Sequence, residues 1–180
     1  MIETARLLLR VPSGDDLAWT LTQMNTEAVM RHLGGVRLED EAIAGFERNA
    51  RGLDETGIGF WTVVLRASGK PVGKCGLAPI ETAHAPPELQ GQLQIGWSLA
   101  EPYWGQGLAA EAARAVLGHG FGERGLDAIW SQTSDSNRSS TRLMERLGLE
   151  RMPKLDYVDP DYPAADNPTT VYRALRPIAA

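Results

Sequence analysis

The chain of 180 residues is poor in the side chains that build disulfides and metal sites: it has one cysteine, Cys75, and three histidines. A single cysteine excludes an internal disulfide framework and any zinc site that needs several thiolates. His32, His84 and His119 do not show the spacing of metal ligands. We therefore expect no resident metal, and we interpret Cys75 as a small buried apolar residue rather than a nucleophile.

Long apolar segments are also missing. The longest stretch without a charged residue, Leu89–Ala100, has 12 residues and is interrupted by glutamine and glycine. A membrane-spanning helix needs about 20 apolar residues. The first residues, Met1–Arg6, do not form a basic leader followed by an apolar run, so no signal peptide is expected. The sequence predicts a soluble cytoplasmic protein that does not bind membranes.

Positive charge is the third shortage, with 18 basic against 23 acidic side chains and a formal net charge of −5 at pH 7. This balance argues against a protein whose main task is to bind nucleic acid or an anionic membrane, and it suits a cationic substrate. The content of 43% hydrophobic and 23% charged residues is ordinary for a globular protein. With no repeat or linker in view, we expect one domain over residues 1–180.

The hydrophobic pattern predicts an α/β chain in which helices follow the first strand, a meander comes next, and strands and helices then alternate. The predicted elements are a strand at Ala5–Val11, short helices from Ser13 and through Glu27–Leu33, a helix across Ile43–Leu53, strands at Phe60–Leu65, Val72–Ile80 and Gln92–Leu99, a helix from Gly107, a strand at Ala128–Thr133, a helix capped by Asn137, and a strand near Thr169–Leu175.

The most informative segment is Leu93–Glu111, where a strand leads through a turn to Gly105 and Gly107 and then into an alanine-rich helix. The first N–H groups of a helix have no internal partner, and the helix dipole adds positive charge there. Glycines let a phosphate approach the backbone. A dinucleotide fingerprint is disfavoured because Asp127 precedes the next strand instead of ending it. The segment predicts a phosphate site.

Several further segments occur in a characteristic order with this one. They are Thr4–Arg10, Gly69–Gly73, Ile95–Trp97, Tyr103–Ala112 and Asn137–Leu149. Together they resemble the GNAT superfamily of acetyl-CoA-dependent N-acetyltransferases, particularly its RimJ/RimL-type branch, which includes ribosomal-protein N-terminal acetyltransferases. The resemblance covers nearly the whole chain. It implies a mixed, twisted sheet of about six or seven strands with helices on both faces. The central strands splay apart and form the acetyl-CoA cleft.

The resemblance also implies which residues hold acetyl-CoA, the expected cosubstrate. Backbone groups of Trp97, Ser98 and Leu99 would pair with the pantetheine arm, and Arg138 could reach the 3′-phosphate. The pyrophosphate would lie against the glycine-rich turn and the helix start, formed by Trp104, Gly105, Gln106, Gly107, Leu108, Ala109 and Ala110.

The implied reaction is direct attack of a primary amine on the thioester. Asn137 would contact the pantetheine arm or the thioester, and Ser140 would protonate the departing thiolate. Many members carry a glutamate base two residues before the glycine–aromatic pair, where this chain has Gln94. Since glutamine cannot accept the proton, Glu88 is the first candidate base, and His84 and Asp135 are alternatives.

The acceptor amine remains open between classes. A protein or peptide N-terminal α-amine, with a pKa of about 7.7–8.0, demands less of a base than a lysine amine with a pKa of about 10.4. A small amine such as an antibiotic or a polyamine is the alternative substrate, and the acidic segment Asp156–Tyr162 could meet a cationic acceptor. The other alternative is a catalytically weak CoA-binding sensor. A homodimer is a family-level expectation.

Overall fold

One mixed sheet organises the chain in the computed structural model, which describes residues 1–177. Its eight strands are β1 (Ile2–Glu3), β2 (Leu7–Arg10), β3 (Gly59–Leu65), β4 (Pro71–Pro79), β5 (Leu93–Leu99), β6 (Ala128–Ser134), β7 (Glu150–Arg151) and β8 (Thr169–Leu175). Their order across the sheet is β1-β2-β3-β4-β5-β6-β8-β7. The β5–β6 pair is parallel and the other neighbouring pairs are antiparallel. The sheet confirms the predicted mixed α/β fold.

The described part of the chain forms five α-helices beside the sheet. They are α1 (Asp16–Trp19), α2 (Glu27–Met30), α3 (Glu39–Thr56), α4 (Leu108–Gly122) and α5 (Arg138–Arg146). The predicted helix after Gly107 and the Asn137 cap are confirmed, whereas β1 and β7 were not predicted because two-residue strands show no periodicity. Within residues 1–177, no helix is long and apolar enough to cross a membrane.

Helix α4 packs on one face of the sheet, and its small side chains allow close approach. Ala112, Ala113 and Val116 are fully buried in the same cluster as Leu77 and Ile95 of the central strands. Cys75 lies in this core as well, and burial raises the pKa of its thiol above the ordinary value. Cys75 is therefore a structural residue of the core, as the sequence predicted.

The opposite face of the sheet carries a buried carboxylate, Asp16, at the start of α1. Its two oxygens accept hydrogen bonds from Arg10 at 2.6 and 2.7 Å, from the backbone N–H of Ser13 at 2.9 Å, and from Thr62 at 3.2 Å. Burial alone would raise the pKa of Asp16, but these partners outweigh it and hold that pKa below its ordinary value. The carboxylate fixes α1 to β2 and β3.

Replacing Asp16 with asparagine leaves the Arg10 guanidinium without its counter-charge, so we expect the free energy of unfolding to fall by about 2–3 kcal/mol near neutral pH. Because the folded pKa is lowered, the contribution is complete above the unfolded pKa of about 3.9 and is lost as the pH falls through the folded value. Urea unfolding of both proteins at several pH values measures it. Asp15→Asn, at the exposed neighbouring position, is the control. An equal loss in both variants would contradict the assignment.

Candidate functional site

A gap separates β5 from β6 over most of their length. The two strands are paired at one position, Gln94 with Trp130. In contrast, β4 pairs with the whole of β5, and β8 pairs with the whole of β6. Beyond the single pair the two parallel strands diverge toward their C-terminal ends, Leu99 and Ser134. This confirms the predicted splayed central strands.

The backbone of β5 directs alternate residues to its two edges. The N–H group of Ala100 donates to Val72 of β4 at 2.9 Å, whereas the carbonyl of Ile95 accepts from the Ser131 hydroxyl of β6 at 3.0 Å. Because backbone groups alternate along a strand, Ser98 directs its backbone groups toward β4. The predicted backbone contact of Ser98 with a cofactor therefore lies on the paired edge of β5.

Trp97 and Leu99 direct their backbone groups into the gap by the same alternation. The Leu99 carbonyl is already occupied, because it accepts a hydrogen bond from the indole N–H of Trp104 at 2.7 Å. The groups left for a ligand are the N–H and carbonyl of Trp97 and the N–H of Leu99. These groups can accommodate an extended amide-containing chain in the manner of an added strand.

The start of α4 supplies a second row of backbone donors next to the gap. Gly107 is the N-cap residue with a φ of 75°, and no side chain caps the helix. The N–H groups of Leu108, Ala109 and Ala110 therefore lack intrahelical partners. Gly105 also has a positive φ, 72°, and a Cβ placed there would meet no atom within 4 Å. This open, uncapped helix start has the geometry of a phosphate site.

Arg6 adds a positive charge to this turn that the sequence did not predict. Its guanidinium donates to the Gln106 carbonyl at 3.0 Å and to Glu111 at 2.6 Å, and its side chain is half exposed. Partial burial would raise the pKa of Glu111, but hydrogen bonds from Thr4 and Arg6 outweigh burial and hold it below its ordinary value. The interaction links the N-terminal strands to the first turn of α4, more than 100 residues away in sequence.

The start of α5 contains the predicted catalytic residues. The Asn137 side chain accepts the Ser140 N–H at 3.3 Å and donates to Thr133 of β6 at 3.1 Å. Among the described residues, the Ser140 hydroxyl has no hydrogen-bond partner, so it is free to rotate. Arg138 is exposed and lies 3.6 Å from Asp135. The structure thus brings Asn137, Ser140 and Arg138 together at the open end of β6.

Glu88 is separate from this group. It is exposed on a short 3₁₀ turn, Pro87–Leu89, in the connection that precedes β5. That connection adjoins the paired end of β5 rather than the diverging end. His84 lies in the same connection, 3.9 Å from Asp161. Of the three candidate bases, Asp135 alone adjoins the start of α5.

A polar cluster that the sequence did not predict lies at the β6 side of the gap. The Asp166 carboxylate accepts from Ser136 at 3.0 Å and lies 2.8 Å from Nδ1 of His32, and Ser136 is 2.8 Å from Ser134. Burial would raise the pKa of Asp166, but its hydrogen bonds with His32 and Ser136 hold it below its ordinary value. The cluster joins three segments that are distant in sequence.

Most carboxylates of the acidic segment before β8 are already engaged. Asp156 forms an ion pair with Arg151, and buried Asp159 accepts a hydrogen bond from Thr82 at 3.0 Å. Asp161 is the exposed acid of this segment. The segment therefore offers a cationic acceptor fewer free carboxylates than its composition suggests.

Comparisons with known proteins agree with this geometry. Residues 6–150 match the family described as acetyltransferase (GNAT) domain. The uncharacterized protein YkkB of Bacillus subtilis is 29% identical over 147 residues, which are 81% of this chain and 83% of that protein. A GNAT-family acetyltransferase from Bacillus anthracis has a similar structure, with a TM-score of 0.79, 24% identity, and coverage of 97% of this chain and 98% of that one.

A third comparison concerns a structure with a bound cofactor. RimL, described as a ribosomal L7/L12 α-N-protein acetyltransferase in complex with coenzyme A, shares the fold with a TM-score of 0.72 at 14% identity. The similarity covers 96% of this chain and 95% of that one. The family match extends over most of the chain and includes the gap and the start of α4. The chain is an N-acetyltransferase of the GNAT family.

Proposed function

We propose that the protein transfers the acetyl group of acetyl-CoA directly to the α-amine of a peptide or protein N-terminus, as a member of the RimJ/RimL-type branch. The pantetheine arm would pair with Trp97 and Leu99 in the gap, where three backbone groups have no partner within residues 1–177. The pyrophosphate would accept hydrogen bonds from the free N–H groups at the start of α4. Arg6, 3.0 Å from the Gln106 carbonyl, would add a positive charge beside the phosphates.

The reacting thioester would lie between the diverging ends of β5 and β6. The N–H groups of Trp97 and Leu99 would be the donors for the tetrahedral oxyanion. The Ser140 hydroxyl, unoccupied by any described residue, would donate a proton to the departing CoA thiolate and would be reprotonated by the proton that the amine nitrogen loses as the amide forms. Asn137 would hold the first turn of α5 in place through its bonds to Ser140 and Thr133.

The identity of Gln94 carries the choice of acceptor. Gln94 stands where β5 and β6 diverge. Its neutral amide cannot accept the proton that the acceptor's ammonium group must lose before the amine attacks. An N-terminal α-amine is roughly 10% deprotonated near neutral pH, whereas a lysine amine is only about one part in a thousand deprotonated. A site with a weak base or none can therefore use the α-amine with little help. RimL shows that the fold accommodates an α-N-protein acetyltransferase.

The test uses two matched synthetic peptides, one with a free N-terminus and no lysine, and one with a blocked N-terminus and a single lysine. Thiol release from acetyl-CoA and the peptide mass report transfer. We expect kcat/KM near neutral pH to favour the free N-terminus by about a hundredfold, because the free-amine fractions differ by that amount.

The pH profile gives an independent readout of the same reaction. We expect kcat/KM for the N-terminal peptide to rise with pH, with a midpoint at about pH 8, the pKa of the amine itself. Gln94→Ala should leave this midpoint unchanged, since the amide does not titrate. Equal transfer to the lysine peptide, or a midpoint that depends on residue 94, would contradict the proposal.

A further inference from the structure

Lys74, on β4, lies on the sheet face opposite α4. In the register of the sheet it pairs with Thr62 on one side and with Ser98 on the other. Directly paired residues of antiparallel strands project from the same face. Thr62 contacts Asp16 on that face, which identifies it as the face covered by α1. Lys74 is therefore on the α1-covered face, one strand away from the open edge of β5.

The Lys74 ammonium has no hydrogen bond or ion pair with any residue that the structure describes, although its side chain is partly buried. Its Nζ lies over the ring of Phe60, 5.7 Å from the ring centroid. Burial lowers the pKa of Lys74 below the ordinary value, and the positive charge of Arg37 lowers it further. A partly buried cation without a counter-charge is unfavourable, and an anion supplied by a ligand would stabilise its charged form.

Arg10 is a second cation in the same row of side chains, and it does have a counter-charge. Arg10, which pairs with Thr62 across β2 and β3, has both of its terminal nitrogens bound to Asp16. The Asp16 carboxylate is therefore fully engaged and does not form an ion pair with Lys74. Arg37 is exposed and forms no ion pair within residues 1–177. Lys74 and Arg37 are therefore two cations without an ion pair among the described residues, and Arg37 is close enough to act on the charge of Lys74.

We propose that the acceptor peptide has an aspartate or glutamate as its first or second residue, and that Lys74 binds this carboxylate. The inference builds on the proposed function and narrows its substrate class. Paired residues in neighbouring strands have Cβ atoms about 4.5–5.5 Å apart. The Lys74 side chain therefore starts next to that of Ser98. It can reach a carboxylate on the first or second residue of a peptide whose amine attacks a thioester beside Ser98. Arg37 attracts the acidic end of the peptide as it enters.

The test compares isosteric acceptors that differ in one charge. Short synthetic peptides carry glutamate or glutamine, and aspartate or asparagine, at the first or the second position. With wild-type protein we expect kcat/KM to be about 10- to 100-fold higher for the acidic peptide than for its neutral counterpart, at whichever of the two positions Lys74 reaches. This ratio corresponds to the free energy of one hydrogen bond to a charged group. Equal rates, or a preference for the neutral member, would overturn the inference and leave N-terminal acetylation standing.

Three variants separate recognition from catalysis. Lys74→Met should reduce the acidic preference to about one while it leaves kcat for the glutamine peptide unchanged, and Lys74→Arg should retain most of the preference. Lys70→Met, which removes an exposed lysine in the β3–β4 turn, should behave as wild type. If Lys74→Met slows both peptides equally, Lys74 acts in the chemistry and the inference is wrong. If CoA binds but neither peptide is acetylated, the proposed function fails with it.

Discussion

Gly107→Trp is expected to abolish binding of acetyl-CoA. An indole at the N-cap of α4 occupies the space in front of the free N–H groups, where a phosphate would lie. The loss of two or more charge-assisted hydrogen bonds lowers CoA affinity by about a hundredfold or more. Isothermal titration with CoA measures the loss directly. Thermal unfolding of the same samples shows that the variant is folded.

The conformation of Gly107 requires a matched control, because a side chain at a φ of 75° is strained whatever it blocks. Strain at such a position costs about 1–2 kcal/mol. Gly69, in the turn between β3 and β4, has a φ of 69°, and an added Cβ there would meet no atom within 4 Å. Gly69→Trp should lose similar stability but bind CoA as wild type does. Equal CoA affinity in the two variants would show that the phosphate does not bind at the start of α4.

Ser140→Ala is expected to reduce kcat by about a hundredfold or more, the usual contribution of a positioned general acid. The affinity for CoA should change little, because the backbone N–H of Ser140 still donates to Asn137 and preserves the cap. Steady-state rates and CoA titrations together separate the two effects. An acetyl thioester with a more acidic thiol should restore much of the rate, because its thiolate departs without a proton.

Ser139 provides the control for this substitution. It is exposed, and its hydroxyl donates to Asn137 at 2.9 Å. Ser139→Ala removes one hydroxyl from the same helical turn and should cost activity only to the extent that the cap weakens, within about threefold. A rate for Ser140→Ala that matches this control would show that the thiolate needs no proton from Ser140.

The sequence predicted the features that depend on neighbours along the chain. The strand, the glycine turn and the alanine-rich helix of Leu93–Gly122 follow from periodicity and from glycine at positive φ. The Asn137 cap follows from residue type and position. The central gap came from the family resemblance, because one pair between Gln94 and Trp130 leaves no mark in either strand.

The features that the sequence missed depend on residues that are far apart along the chain. Arg6 and Glu111 meet across 105 positions, and His32 and Asp166 meet across 134. Asp16 begins α1, within the helix predicted from Ser13, but the sequence did not predict its pairing with Arg10. In the sequence, charged residues at such positions are interpreted as exposed to solvent, because no periodicity indicates their pairing. Only the tertiary structure shows their partners.

Amide hydrogen exchange with and without CoA tests the central claim most directly, since the claim concerns backbone N–H groups. Addition of CoA should slow exchange at Trp97 and Leu99 and across 105–110, while the β3–β4 turn at Gly69 keeps its rate. This pattern would place the arm in the gap and the phosphates at the start of α4. Slowed exchange elsewhere, with no change at these positions, would contradict the account.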